Sequence, residues 1–289
     1  MNGRKPATAE LRRIAHEVRK LVIGTVHHAA NGHIGGSLSE ADILTALFFR
    51  VMDVDPSDAR KKDRDRFVLS KGHSTPGYYS VLARRGFFPL DELDHFDELG
   101  SRLQGHPDMH KTPGVDISSG SLGQGLSCAI GMALGNKADG TGFTTFVLIG
   151  DGESQEGQVW EAALYAGAVR VPYLVAIVDN NGVQLSARTK DVVSVEPLDA
   201  KWEAFGWTVL SCDGHDMDAV VATLEKAKAD SANGPIAVIA RTVKGKGVSF
   251  MEGMHEWHGK APNDDEFRSA MAELESKTLV AGEGANEGW

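Results

Sequence analysis

The stretch IGDGESQEGQVWEAALYAGAVRVPYLVAIVDNNGVQL, residues 149–185, decides how the chain reads as a fold. An apolar run, FTTFVLIG (143–150), leads into it and stops at Asp151, a lone acid between Gly150 and Gly152. A second run, PYLVAIVDN (172–180), stops at the paired amides Asn180 and Asn181. Both runs are continuously apolar rather than alternating, the pattern of parallel strands covered on both faces. The segment between them, QVWEAALYAGA (158–168), reads as a helix. Strand, helix and strand make a βαβ unit.

Working outward, the same alternation continues. DRFVLS (65–70), WTVLSCD (207–213) and PIAVIARTV (235–243) read as further strands. Helices are expected over 8–30, from an N-cap at Ser39 through ILTALFFRV with Asp42 in the first turn, over 75–86 with a stop at Gly86, over 89–96, 121–138, near 198–205, over 217–229 and over 265–279. In 121–138 the small residues Gly125, Ala129 and Ala133 recur every four positions, so another helix or a ligand can come close. The fold class is α/β: an open, mostly parallel sheet with helices on both faces. Residues 1–263 form the main domain, and 264–289 a short helix and a polar tail that is either disordered or docked on a partner.

The bulk composition agrees with an enzyme of this class. In 289 residues, 42% are hydrophobic and 24% charged, ordinary for a globular protein that can bury a sizeable core. The net charge of −10 argues against nucleic acid as a partner. The N-terminus lacks the apolar core of a signal peptide, and no apolar run approaches the ~20 residues of a membrane span, so a cytoplasmic protein is expected. Cys128 and Cys212 stand far apart, outside any metal-ligand spacing, and read as two reduced, buried thiols. The 33 glycines cluster in NGHIGGS, SSGSLGQGLS, IGDGESQEG and VKGKGVSF, which suggests close approach of backbone to a ligand.

Open parallel sheets bind ligands at the carboxyl ends of their strands. If the strands at 143–150 and 172–180 are neighbours, Asp151 and Asn181 face one crevice. A carboxylate and an amide oxygen are hard donors suited to Mg²⁺ or Ca²⁺, and Mg²⁺ is usually shared between one or two such groups and phosphate oxygens. Gly150 and Gly152 let backbone approach a diphosphate, and the helix that follows would direct N–H groups at it. The residues point to a metal-bridged diphosphate site.

Gly150-Asp151-Gly152, followed after 27 residues by Asn180-Asn181, resembles the thiamine diphosphate signature. The wider set resembles transketolase in its N-terminal, diphosphate-binding (PP-type) domain: NGHIGGSLSEADIL (31–44), DRFVLSKGH (65–73), GSRLQGHPD (100–108), SGSLGQGLSCAIGMA (119–133), GDGESQEG (150–157) and HGKAP (258–262) occur in order. The resemblance covers about residues 10–262 and implies the thiamine diphosphate-binding fold. Transketolases that are one chain continue into a pyrimidine-binding domain and a third domain. This sequence therefore resembles the separately encoded N-terminal subunit of a two-component transketolase.

The resemblance also implies roles. Asp151, Asn181 and the carbonyl of Val183 would hold the metal. Gly150, Gly152 and Glu153 would meet the diphosphate region through backbone, Leu122 and Leu185 would pack on the cofactor rings, and Gly120 and Ser121 would lie beside the aminopyrimidine. Of the 11 histidines, His33, His73, His106 and His258 adjoin Gly or Pro in expected loops. By resemblance they line the funnel above the thiazolium: His33 and His258 handle hydroxyl protons, His73 and His258 also reach the diphosphate, and His106 holds the C1 hydroxyl. The other histidines, His215 among them, read as surface or satisfied core residues. Lys244 follows a strand end and could face the diphosphate, although many transketolases carry an apolar residue there. Glu156 resembles a glutamate at the dimer interface.

The activity implied is transfer of a two-carbon ketol unit between sugar phosphates, with thiamine diphosphate and Mg²⁺ or Ca²⁺. The partner would be a C-terminal subunit with the pyrimidine-binding domain, two copies of each chain forming the assembly. The sugar stays open between ordinary pentose phosphates and a branched or sulfonated one. The alternatives are the α chain of an E1-type decarboxylase or dehydrogenase, or a non-catalytic binding subunit. A dinucleotide enzyme ranks low, because no G-x-G-x-x-G follows an expected strand with an acid about 20 residues on.

Overall fold

A computed structural model describes residues 5–283. In chain order the elements are α1 (Thr8–Ala29), α2 (Ile34–Ser39), α3 (Ala41–Ala46), β1 (Arg66–Leu69), α4 (Thr75–Arg85), α5 (Gly125–Asp139), β2 (Thr145–Gly150), α6 (Gly157–Ala168), β3 (Leu174–Asn180), α7 (Thr189–Val192), α8 (Leu198–Ala204), β4 (Thr208–Asp213), α9 (Met217–Asp230), β5 (Ile236–Arg241) and α10 (Asp264–Glu283). The five strands pair in parallel in the order β1-β2-β3-β5-β4. β2 and β3 are neighbours, with Gly150 opposite Asp179, so Asp151 and Asn181 leave the same edge of the sheet.

The unbroken apolar character of the strands follows from two cores. Leu69, Phe146, Leu148, Val175, Ile177 and Val238 point to one face, against α1, α3, α4 and α9. Val68, Val147, Ile149, Ala176, Val178 and Ile239 point to the other, where α5, α6 and α8 supply Leu126, Ala163 and Trp202. Successive strand residues alternate between two buried faces, so none needs to be polar. In the described part of α10, Ala270 and Leu274 join the first core, and Phe267 stacks on His27 of α1 with ring centroids 4.1 Å apart. No helix among the described residues is long and apolar enough to cross a membrane. The tail expected beyond 283 lies outside the described residues.

Five local expectations are corrected. Ser39 is not an N-cap: it closes α2, and its hydroxyl donates to the Gly36 carbonyl and to Asp179 Oδ2 at 2.7 Å, so it is used in tertiary bonding. The run that follows is interrupted by a π turn over Leu47–Val51. Residues Leu90–His95 form 3₁₀ rather than α turns. Cys128 is exposed, whereas Cys212 is buried as expected. The reason is that α5 turns Gly125, Ala129 and Ala133 inward, which leaves Cys128 on the outer face. α5 also starts four residues later than the periodicity suggests, at Gly125, where an added Cβ would lie 2.4 Å from Ser70 Oγ.

Gly167 gives a test of packing that is independent of the site. A Cβ there would sit 1.7 Å from the Phe205 carbonyl, where α6 crosses the turn into β4. Gly167→Ala is expected to cost about 3 kcal/mol and to lower the melting temperature by roughly 6–12 °C. Gly131→Ala, where an added Cβ meets nothing within 4 Å, is the matched control and should raise it slightly. Thermal unfolding of both variants checks this, and a Gly167→Ala chain as stable as its parent would refute it.

Candidate active site

A crevice of about 420 Å³ opens at the carboxyl ends of the strands. It is lined by His33, His73, His106, Gly120, Leu122, Gly150, Asp151, Gly152, Glu153, Asn181, Val183, Leu185, Lys244 and His258, so the proposed residues converge there; Ser121 sits between Gly120 and Leu122 but is not among the lining residues. Four of the five strands lead into them. β1 leads into His73, β2 into Asp151, β3 into Asn181, β5 into Lys244, while the segments around His33, His106 and His258 complete the lining.

Asp151 is 2% exposed. Its two oxygens accept the N–H groups of Gly152 at 2.8 Å and Gly182 at 2.6 Å. Burial, and then the negative charge of Asp179, push its carboxyl up to about 7. Asn181 donates through Nδ2 to Asp179 Oδ2 at 3.2 Å and accepts the Val183 N–H on Oδ1 at 3.0 Å. The helix expected directly after Gly152 is displaced: a single 3₁₀ turn over Glu153–Gln155 intervenes, and α6 starts at Gly157. The Gly152 N–H is spent on Asp151 itself.

Glu153 contributes its side chain as well as its backbone. The carboxylate accepts Ser70 Oγ at 2.5 Å, Gly123 N at 2.8 Å and Gly150 N at 3.0 Å, tying the Gly120–Gly123 loop to the ends of β1 and β2. Burial raises its pKa, against the pull of those three donors.

Three imidazoles form a triangle. Ring centroids are 4.9 Å apart for His33 and His73, 5.2 Å for His33 and His258, and 5.1 Å for His73 and His258. All three pKa values are lowered, first by burial and then by nearby positive groups, to about 2 for His73 and about 3 for His258. The rings are therefore neutral at pH 7. Lys244 is 2% exposed, and its Nζ lies 2.8 Å from His258 Nδ1 and 3.2 Å from the Val183 carbonyl. An ammonium only donates, so His258 accepts at Nδ1 and carries its proton on Nε2. Burial and the neighbouring Lys71 bring Lys244 down to about 8. His106 is exposed at the rim, with its ring 3.0 Å from where a Cβ on Gly120 would be. Leu185, 66% exposed, stands at the mouth.

Sequence reasoning missed the layer beneath this crevice. Asp179 accepts Lys71 Nζ at 2.6 Å, Ser39 Oγ, Asn181 Nδ2 and the Thr242 hydroxyl. Lys71 also meets Glu40 Oε2 at 2.7 Å. Burial would raise Asp179, but Lys71 together with the Thr242 and Ser39 hydroxyls outweighs it and the pKa is lowered; burial pushes Glu40 up to about 7 although it shares the same ammonium. The signal was present as an acid at the end of LVAIV and a lysine directly after FVLS. Apolar strands carry such groups at their ends only where partners wait.

The family model for the transketolase thiamine diphosphate binding domain matches residues 11–278. The chain is 44% identical over 268 residues to a 6-deoxy-6-sulfo-D-fructose transketolase subunit of Clostridium sp. (strain MSTE9), covering 93% of this chain and 97% of that one. It is 44% identical over 278 residues to one of the apulose-4-phosphate transketolase subunits, that of Actinobacillus succinogenes, covering 96% and 100%. Among solved structures, the transketolase from Leishmania mexicana superposes with a TM-score of 0.85 at 30% identity, over 92% of this chain and 41% of that one. A crevice built of these residues at the carboxyl ends of a parallel sheet, in a chain so alike to those subunits, belongs to the transketolase family, and the chain is one of its N-terminal, thiamine diphosphate-binding subunits.

Proposed function

We propose that this chain and a separate C-terminal subunit together transfer a two-carbon ketol unit between sugar phosphates, with thiamine diphosphate and a divalent metal held in the crevice. The reading is carried by one observation: Asp151, Asn181, Lys244 and three neutral imidazoles share a single crevice. An E1-type α chain gains no support from the likenesses, which are to transketolases and their subunits.

The donor set fits a metal and a diphosphate. The Asp151 carboxylate is buried, its bonds among the described residues come from backbone N–H groups, and it is raised to about 7, so a divalent ion beside it would supply the missing charge. Asn181 Oδ1 and the Val183 carbonyl are the other two oxygens that would hold the ion, a hard-donor set that suits Mg²⁺. Lys244, His73 and His258 would face the diphosphate oxygens, with Gly150, Gly152 and Glu153 as the backbone beneath them. Gly120, Ser121 and Leu122 would border the aminopyrimidine, and Leu185 would cover the rings.

When bound, thiamine diphosphate supplies the carbanion that carries the two-carbon unit. The chain's own residues would bind, orient and move protons. His258 presents Nε2–H to a sugar hydroxyl because its Nδ1 is occupied by Lys244. His33, neutral, can take a hydroxyl proton from donor or acceptor. His106 at the rim would hold the C1 hydroxyl. A cytoplasmic location and two copies of each subunit belong to the same reading, since closed two-fold assemblies are commonest. Glu156, exposed on the surface, would lie at that interface.

The purified chain alone is expected to show no ketol transfer, because the relatives it covers almost end to end are subunits of a transketolase. Mixed with its partner it should become active, and the contact between the two should bury more than ~2,000 Å². Assays on ordinary pentose phosphates, apulose-4-phosphate and 6-deoxy-6-sulfo-D-fructose would sort the sugar. Full transfer by the chain alone, or none by the assembled complex on any sugar phosphate, would refute the proposal.

A further inference from the structure

The lysine in the crevice needs an explanation that the crevice does not contain. Lys244 is 2% exposed, and both burial and the charge of Lys71 act against its ammonium. Asp179, Asp151 and the lone pair of His258 attract it, while Lys71 repels it. A buried ammonium gains hydration by moving outward. Its loop must therefore be fastened on both sides.

The fastening lies behind the loop, away from the crevice. The Val243 N–H, one residue before Lys244, donates to His215 Nε2 at 2.8 Å. The Lys246 carbonyl, two residues after it, accepts Arg19 Nε at 3.1 Å. Both holding groups end on a single carboxylate. Arg19 donates from Nη1 and Nη2 to the two oxygens of Asp42, at 3.1 Å and 2.5 Å, and His215 Nδ1 lies 2.9 Å from Asp42 Oδ2. Side-chain exposure is 10% for Arg19, 8% for Asp42 and 12% for His215. Between the two anchors, Gly245 donates to the Gly35 carbonyl at 3.0 Å, in a left-handed conformation (φ +77°) where a Cβ would lie 2.4 Å from the Met251 carbonyl.

The hydrogen bonds fix the chemistry of each member. Val243 N–H can only donate, so His215 Nε2 is an acceptor and its proton sits on Nδ1, facing Asp42. Burial alone would raise the Asp42 carboxyl, but Arg19 and His215 hold it at about 2. The carboxylate stays ionised and accepts from both partners, as a strut requires.

We propose that Asp42, acting through Arg19 and His215, is the positioning group that holds Lys244 in the floor of the crevice. Its consequence for the cofactor rests on the proposed role of Lys244 toward the diphosphate. Its geometry does not. Asp42 and His215 are not among the residues that line the crevice. Their effect reaches the site through the backbone on either side of Lys244, as second-tier partners orient ligand groups in metal sites.

The test uses the chain with ¹⁵N in its backbone and histidine rings, and needs no cofactor. In the parent chain the Gly245 N–H, bonded to the Gly35 carbonyl between the two anchors, should be protected from hydrogen exchange. In His215→Ala and Asp42→Asn it should exchange at least about tenfold faster as the loop loosens. His215→Gln, which keeps an acceptor for Val243 and a donor for Asp42, should stay near the parent. A folded His215→Ala chain whose Gly245 amide exchanges as in the parent overturns the proposal. Should that variant not fold, the parent's ring spectra decide: an Nδ1–H tautomer at His215 supports the strut, and an Nε2–H tautomer overturns it. In the complex with the C-terminal partner, His215→Ala should weaken thiamine diphosphate binding about 10–100-fold, with kcat at saturating cofactor retained. If the exchange quickens and Lys244→Ala leaves cofactor affinity unchanged, the strut stands and the diphosphate role of Lys244 falls.

Discussion

Asp151→Ala, assembled with its partner, is expected to bind thiamine diphosphate no better with Mg²⁺ than without it. Asp151 is the one acid among the three oxygen donors proposed for the metal, and it is held in place by the N–H groups of Gly152 and Gly182. Removing one member of a buried charge pair costs about 3–5 kcal/mol, or roughly 10²–10⁴ in affinity. Asp151→Asn should fail almost as badly, since it keeps the shape and loses the charge. The parent enzyme should also show a proton linkage. In the metal-free fold the carboxyl is raised to about 7, above its ordinary value of about 3.9. This group's contribution to stability is therefore full below about pH 3.9 and is lost as pH rises through 7. Metal needs the carboxylate, so apparent metal affinity should rise about tenfold per pH unit below 7 and level off above it. Calorimetry with Mg²⁺ and cofactor across pH reads both effects. Equal cofactor affinity in the alanine variant would remove Asp151 from the metal site.

Ketol transfer should fall by about 10²–10⁴-fold in His33→Ala and in His258→Ala, the range for a lost general acid or base. The two variants should differ in cofactor affinity. His258 accepts from Lys244 at 2.8 Å, so its loss frees a buried ammonium and should weaken cofactor binding as well. The His33 ring packs on the other two imidazoles rather than on Lys244, and its variant should bind cofactor nearly as the parent does. The pH profile adds a signed check. Both rings have lowered pKa values and work in the neutral form, which persists above the lowered pKa. Lowering pH through 6.5, where a free histidine gains a proton, should therefore leave His258 neutral. Steady-state rates for both variants, with a profile of the parent, decide the matter. Rates that survive both substitutions would place proton handling elsewhere.

The sequence by itself determined the elements and most of the crevice. Continuous apolar runs ending at Asp151 and Asn181 required strands covered on both faces, and every expected strand is present within two residues at each end. A ligand at strand ends followed from the sheet type. Resemblance to transketolase motifs, rather than local pattern, picked out His33, His73, His106 and His258, all of which line the crevice. Local periodicity and turn chemistry depend on near neighbours, which is why they could be read directly.

Contacts between distant residues could not. Only the strand order β1-β2-β3-β5-β4 sets β5 beside β3 and brings Lys244 onto the Val183 carbonyl, 61 positions away in sequence. The same order places β4 at the edge, so that His215, which follows it, reaches Val243 and Asp42. Lys71, Asp179 and Glu40 meet for the same reason, across separations that no periodicity encodes. Nothing in the spacing of α5 said that Cys128 would face outward, because both sides of that helix are small and apolar. Local sequence sets which residues stand at strand ends. Which of them touch, and with what charge, is set by how the strands are ordered and how little water is left between them.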